Sequence, residues 1–422
     1  MQRREFLNTS MGLSAVASLQ PLNNLYTSVN HQLDTQADSN QNFDIIVLGV
    51  GSMGAATCYQ LAKQGHKVLG LEQFDIPHEL GSHGGQSRLI RKAYFELPDY
   101  VPLLERAYQN WKELETKTGA QVYVKTGLVY FGKPSDALMK GVHESANKYK
   151  VEVNSMSVAE TTKKYPQFIL PANYERLEEP DAGFVTPERS ILLFTEQALQ
   201  NGAVIHTKEK VVEWKRSNGT LSVKTNKATY TCKKLVITAG PWAGKMIPGF
   251  ATNLKVTRQI IAWMNPKKRE DFELGQFPCW ILNDEAGPGS YYGFPILPVG
   301  KFGGPVGLKL AYHFPGVVSD PDTINRITTA EDESKLIYAL NKFIPNGYAS
   351  THVMKTCMYT NTPDENFVID FLPGYDKDVA IATGFSGHGF KFASVVGEIM
   401  ANLATKGSTN LPIGFLNAGR FK

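Results

Sequence analysis

Residues 43–54 read F-D-I-I-V-L-G-V-G-S-M-G, and Glu72 closes the apolar run that follows. The run 45–48 has the composition of a parallel strand buried on both faces. Gly49, Gly51 and Gly54 then form a G-x-G-x-x-G turn into a helix predicted over 52–64. The first glycine permits the tight turn, the second lets the backbone approach a pyrophosphate, and the third lets helix and strand pack closely. Unpaired N–H groups at the helix start are suited to phosphate oxygens. Residues 67–71 predict the second strand, with Glu72 at the tip, where a carboxylate can hold a ribose. A glycine motif alone is common, but strand, helix, second strand and acid at these separations indicate dinucleotide binding. An acid at 72 favours a free ribose hydroxyl, hence FAD or NAD rather than NADP. The fingerprint assigns Gly49, Gly51, Ser52, Met53, Gly54, Glu72 and Gln73 to the adenosine and pyrophosphate end.

The 422 residues suffice for two substantial domains. A net charge of +4, without a dense basic run beyond Lys267-Lys268-Arg269, argues against nucleic acid as a partner. No stretch approaches the roughly 20 apolar residues of a membrane span. The first 42 residues differ from the rest. Arg3-Arg4 is followed by Phe6-Leu7, a weakly apolar segment over 11–19 and a polar stretch to Asn42. This pattern predicts a twin-arginine-type signal and a polar linker, and thus a periplasmic or otherwise exported protein. That pathway carries folded proteins, which suits a cofactor acquired before export. Ala15-Val16-Ala17 lies too early for a convincing cleavage site, and a chance arginine pair on a cytoplasmic protein's tail is the alternative. Cys58, Cys232, Cys279 and Cys357 are too few and too scattered for a disulfide framework or a zinc site.

Helical periodicity predicts helices over 100–117, 136–149 and 187–199, and residues 122–131 alternate like one strand. Residues 204–205, 211–214, 221–224 and 228–232 predict a short antiparallel set, and 235–238 a buried strand. The chain is strand-rich between 255 and 359. Another buried strand, 379–383, leads through a glycine-rich loop into a helix over 391–404. Strands of the nucleotide-binding type thus occur early, midway and late. The expectation is an interleaved chain, with a nucleotide domain over 43–121, 187–250 and 360–422 and a second domain over 122–186 and 251–359.

Four segments carry a more specific signal. They are G-S-H-G-G-Q-S-R-L-I-R over 81–91, C-M-Y over 357–359, P-D-E-N-F-V-I-D over 363–370, and G-F-S-G-H-G-F-K-F over 384–392. Together they resemble the monomeric sarcosine oxidase family of flavoproteins, which includes N-methyltryptophan oxidase. The resemblance covers residues 43 to about 415. It implies an α/β architecture, a Rossmann-like FAD-binding domain interleaved with a substrate domain built on a large antiparallel sheet. It also implies a monomer that demethylates an N-methyl amino acid oxidatively, reducing oxygen to hydrogen peroxide. Sarcosine is the first expectation and N-methyltryptophan the alternative. A dehydrogenase passing electrons to another acceptor is the rival class, against which Lys309 argues.

The resemblance also implies roles, position by position. Cys357 corresponds to the cysteine bonded to the flavin, a link that fixes the ring and makes it a better oxidant. Lys309 corresponds to the oxygen-activating lysine, a cation suited to charge developing on oxygen. Arg91 and Lys391 correspond to the pair that binds the substrate carboxylate, and Arg88 to an arginine over the other flavin face. Tyr292, His313 and Tyr359 match the substrate cavity lining. Ser82, Val211, Gly240, Trp242, Met358, Gly387, His388 and Gly389 complete the expected cofactor contacts. In one departure, the family's second histidine in the 82–85 loop is replaced by Gly84, while His83 remains.

Overall fold

The computed structural model describes residues 22–34, 41–284, 289–313 and 316–421. The twin-arginine segment lies outside these residues. The run Asn42–Leu48 hydrogen-bonds in parallel to Val68–Leu71 on one side and to Thr229–Ile237 on the other. These strands form the middle of an eight-stranded sheet. Its two faces bury separate clusters, Ile45 and Val47 against the helices and Ile46 and Leu48 on the opposite side. This is the alternation a strand imposes. Helix Ser52–Lys63 packs against helices Pro187–Gln200 and Ala393–Lys406. Gly397 permits the second contact, since a side chain there would meet Ala56 at 2.6 Å.

A second sheet of nine strands is mainly antiparallel and centres on Lys255–Asn265, which pairs with both Leu308–His313 and Ser350–Asn361. Aromatic side chains such as Phe131, Trp280 and Tyr291 fill the cluster beneath it. The large antiparallel sheet joined to a Rossmann-like sheet agrees with the expected fold class.

Several local expectations need correction. Residues 122–131 form two strands, Tyr123–Lys125 and Leu128–Gly132, in different sheets. Gly127, at φ +70°, turns the chain between them. Val204–His206 does not join the antiparallel set but pairs in parallel with Val68–Leu71. The runs 228–232 and 235–238 are one strand, Thr229–Ile237, antiparallel to its neighbour in the first half and parallel in the second. Lys391 lies in the 3₁₀ turn Phe390–Phe392, ahead of the final helix. The stretch expected as a polar linker contains an amphipathic helix, Leu22–Asp34, that buries Leu25, Val29 and Leu33. No described helix is long and apolar enough to cross a membrane.

Candidate active site

Residues from both sheets line a cavity of about 620 Å³ that extends from Glu72 and Val211 to Arg91 and Lys391. At its dinucleotide end, backbone N–H groups do most of the work. Glu72 accepts from the N–H of Val50 and of Phe74, each at 3.0 Å. Burial raises its carboxyl to about 7 against these hydrogen bonds, so it is held in place with little charge to spare. Gly49 has φ +87°, and a side chain at Gly54 would meet the Gly49 carbonyl oxygen at 1.8 Å. Strand and helix therefore meet with no room between them, whereas Gly51 has only the His83 ring nearby, at 3.6 Å. Three observations fit FAD. The phosphate turn is open at Gly51, the cavity continues past Trp242 and Gly240, and the buried His83 Nε2 and Thr360 Oγ1 of its lining residues have no hydrogen-bond partner among the described residues. Burial, reinforced by Arg88, lowers His83 to about 4, so the ring is neutral and can accept or donate one hydrogen bond there.

The wall changes character at the 81–91 segment. Arg88 donates to the carbonyls of Ser82, Gly84 and Ser87, and its Nη2 lies 3.8 Å from Cys357 Sγ. Ser82, Arg88, Cys357 and Met358 share this stretch of wall. The loop is fixed from behind. Glu188 Oε1 accepts from the N–H of Gly85 at 2.7 Å and of Gln86 at 3.1 Å, and Trp263 Nε1 donates to Gln86 Oε1 at 3.0 Å. Gln86 adopts φ 71°, a conformation sustained by these partners. Lys309 is 1% exposed and sits behind this loop, not on the cavity wall. Its Nζ donates to the carbonyls of Gly85 and Ser87, both at 2.5 Å, and to Ser87 Oγ at 3.0 Å. Phe294 and Trp263 flank it. Burial and then Arg88 pull its pKa well below the ordinary lysine value, while three oxygen acceptors match the three protons of the charged form.

The opposite end concentrates buried charge. Arg91 stacks over Tyr94 and Phe95, its Nη1 donates to the Ala93 carbonyl at 3.1 Å, and its Nη2 alone reaches both Glu96 oxygens, 2.6 Å to each. Burial pushes Glu96 up, but Arg91 outweighs it and brings the carboxyl down to about 2. Lys391 also lies over Tyr94, and its Nζ donates to the His388 carbonyl at 2.6 Å. Burial, with Arg91 adding, depresses it to about 7. His388 hydrogen-bonds Tyr94 through Nδ1 and the Glu365 carbonyl through Nε2, and burial lowers it to about 3. Beside these, His313 Nδ1 lies 3.3 Å from Tyr359 Oη, and Tyr359 hydrogen-bonds Tyr292. Burial lowers His313 to about 4 and raises Tyr359, so all three side chains are neutral at pH 7.

The cavity thus gathers every residue expected from the sequence except Gly54 and Lys309, which support it from the layer behind. Sequence reasoning missed Glu96, Glu188, Trp263 and Gln86. Each acts through contacts distant in sequence or with no local pattern. Only Glu96, five residues beyond Arg91, had a spacing that could have suggested a pair.

The FAD dependent oxidoreductase family matches residues 44–403. Monomeric sarcosine oxidase of Bacillus sp. (strain NS-129) is 39% identical over 384 residues, covering 90% of this chain and 97% of the relative. Human peroxisomal sarcosine oxidase is 34% identical, covering 90% and 96%. N-methyl-L-tryptophan oxidase of Citrobacter koseri is also 34% identical, covering 86% and 94%. Among solved structures, the amino acid oxidase NikD matches with a TM-score of 0.78 at 23% identity, covering 90% of this chain and 98% of that one, a likeness of fold. Glycine fingerprint, cavity and relatives agree, and the chain belongs to the FAD dependent oxidoreductase family.

Proposed function

We propose that this protein oxidatively demethylates an N-methyl amino acid, with sarcosine the first candidate, N-methyltryptophan the alternative and oxygen the electron acceptor. The observation that carries the reading is the convergence of two buried basic side chains, Arg91 and Lys391, on one aromatic ring, Tyr94, at the end of the cavity remote from the dinucleotide turn. Two cations in so dry a place are suited to a carboxylate, which a guanidinium receives as a fork and an ammonium as a point charge. In the free chain Glu96 takes Nη2 of Arg91 and the Ala93 carbonyl takes Nη1, so a substrate carboxylate must share or displace these partners. With the Glu96 carboxylate already paired to Arg91, the neutral His313, Tyr359 and Tyr292 add no second carboxylate to hold an ammonium. A secondary amine therefore binds unprotonated, and no dedicated base is required.

Residues from Gly49 to Gln73, with Ser82, Val211, Gly240, Trp242, Met358 and 387–389, would hold FAD, which supplies the two-electron acceptor. Oxidation of the N-methyl group leaves an iminium, which water hydrolyses to formaldehyde and the demethylated amino acid. Lys309, held behind loop 85–87, contributes positive charge toward oxygen as it is reduced.

We further propose that Cys357 carries the flavin covalently. Cys357 lines the cavity, and Arg88 Nη2 lies 3.8 Å from its sulfur. Yellow colour should stay with the acid-precipitated polypeptide and pass to the supernatant in Cys357→Ser. A colourless wild-type pellet would sink the covalent link. The activity itself is tested by peroxide release from sarcosine, N-methyltryptophan and their methyl esters. Peroxide from the free acids, with the esters at least about tenfold poorer, is expected from loss of a paired charge. Esters oxidised as readily as the acids would make the substrate a simple amine, and reduction without peroxide would make the enzyme a dehydrogenase.

A further inference from the structure

Helix Leu22–Asp34 lies outside the 44–403 region matched by the family. It is seated on the enzyme. Leu25, Val29 and Leu33, spaced four residues apart, are buried in the same cluster as Ile191 and Leu192, and the helix packs on Pro187–Gln200. Its first residue, Leu22, places Cδ2 within 3.0 Å of where a side chain on Gly303 would begin. Both contact points continue inward. The helix beneath carries Glu188 in its first turn, which holds the N–H groups of Gly85 and Gln86, and the next residue, Arg189, donates to the Lys301 carbonyl at 2.7 Å. The Gly303 carbonyl accepts from Gln86 Nε2 at 2.5 Å, and Gln86 in turn receives Trp263. Loop 85–87 therefore touches Lys309 on its inner side, while its two outer supports both lead to the N-terminal helix.

We infer that helix Leu22–Asp34 is a working part of the enzyme, a buttress docked in cis that fixes the Glu188 and Gly303 supports and through them loop 85–87 around Lys309. An isolated helix of 13 residues is marginal in water, so its persistence depends on the seat. It positions the Lys309 loop and touches no reacting atom.

The test uses the full-length, flavin-loaded protein. Hydrogen exchange should show the 22–34 amides protected at least about 100-fold over a free peptide of the same sequence. Leu25→Asp with Val29→Asp should abolish that protection and speed exchange at Gly85 and Gln86. It should also slow reoxidation of the reduced flavin by oxygen at least threefold, while changing anaerobic reduction less than twofold. Tyr26→Asp with Thr27→Asp, on the exposed face, should change none of these. Wild-type amides exchanging like the free peptide would overturn the docking. An undocked variant with unchanged exchange at 85–86 and unchanged reoxidation would overturn the coupling. The oxygen measurement rests on the oxidase reading above and the exchange measurements do not. If wild-type flavin proves unreactive with oxygen, that reading fails and exchange still decides the buttress.

Discussion

At the dinucleotide end of the cavity the polar contacts come mainly from the main chain: N–H groups at Val50 and Phe74, a glycine turn, and one acid that they restrain. At the other end the main chain recedes and five titratable side chains, the buried Arg91, Lys391 and His388 and the half-buried Glu96 and His313, have their protonation set by burial and by one another's charges. The first end tolerates almost no change of shape. The second tolerates little change of charge. A dinucleotide grip is thus encoded by where a side chain must be absent, and the chemistry by which charges have been brought together.

The harshest way to break the first end is Gly54→Ala. The added methyl would overlap a backbone carbonyl at 1.8 Å, which no rotamer can relieve. The cost should exceed the roughly 1–3 kcal/mol of ordinary overpacking. The expected result is colourless or insoluble protein, read by flavin content and melting temperature. A soluble yellow variant would show that the turn can open.

Between the two ends, Lys309→Met should leave anaerobic reduction nearly intact and slow reoxidation by oxygen by about 10²–10³, or about 3–4 kcal/mol. Stopped-flow traces of the two half-reactions separate this from a structural defect, which would slow both.

The second end is best sharpened by pH. Because burial depresses Lys391 to about 7, charging it costs the free protein stability below that pH, and the cost is lifted as pH rises toward the ordinary lysine value. A bound carboxylate favours the charged form. Affinity for simple carboxylate ligands should therefore be high below about 7 and fall by up to about tenfold per pH unit above it, 1.4 kcal/mol per unit. Lys391→Ala should bind more weakly and lose this slope, as followed by flavin absorbance. A slope that survives in Lys391→Ala would assign the titration to another group.

The sequence revealed the first end more fully than the second, for a physical reason. The glycine turn and Glu72 belong to one short βαβ unit, so local order carries the geometry. Arg91 and Lys391 could be placed only through resemblance, and Glu96, which pairs with Nη2 of Arg91, went unnoticed. Lys309 too could be placed only through resemblance, which does not show that its side chain abuts loop 85–87 rather than the cavity. The parallel pairing of Val204–His206 and the split of 122–131 at Gly127 escaped for a related reason, since each depends on a neighbour far along the chain.

The close seating of Gly397 against Ala56 has a bearing on biosynthesis. The helix that opens the nucleotide fingerprint is among the first elements translated, and the helix that covers it is among the last. Strand Val379–Thr383, which pairs with Thr229–Ile237, is likewise a late arrival. A ribosome-bound chain that stops short of this point has the fingerprint but not the walls supplied by 384–391. A complete cofactor site is accordingly tied to chain completion, since the late residues 384–391 supply part of its wall.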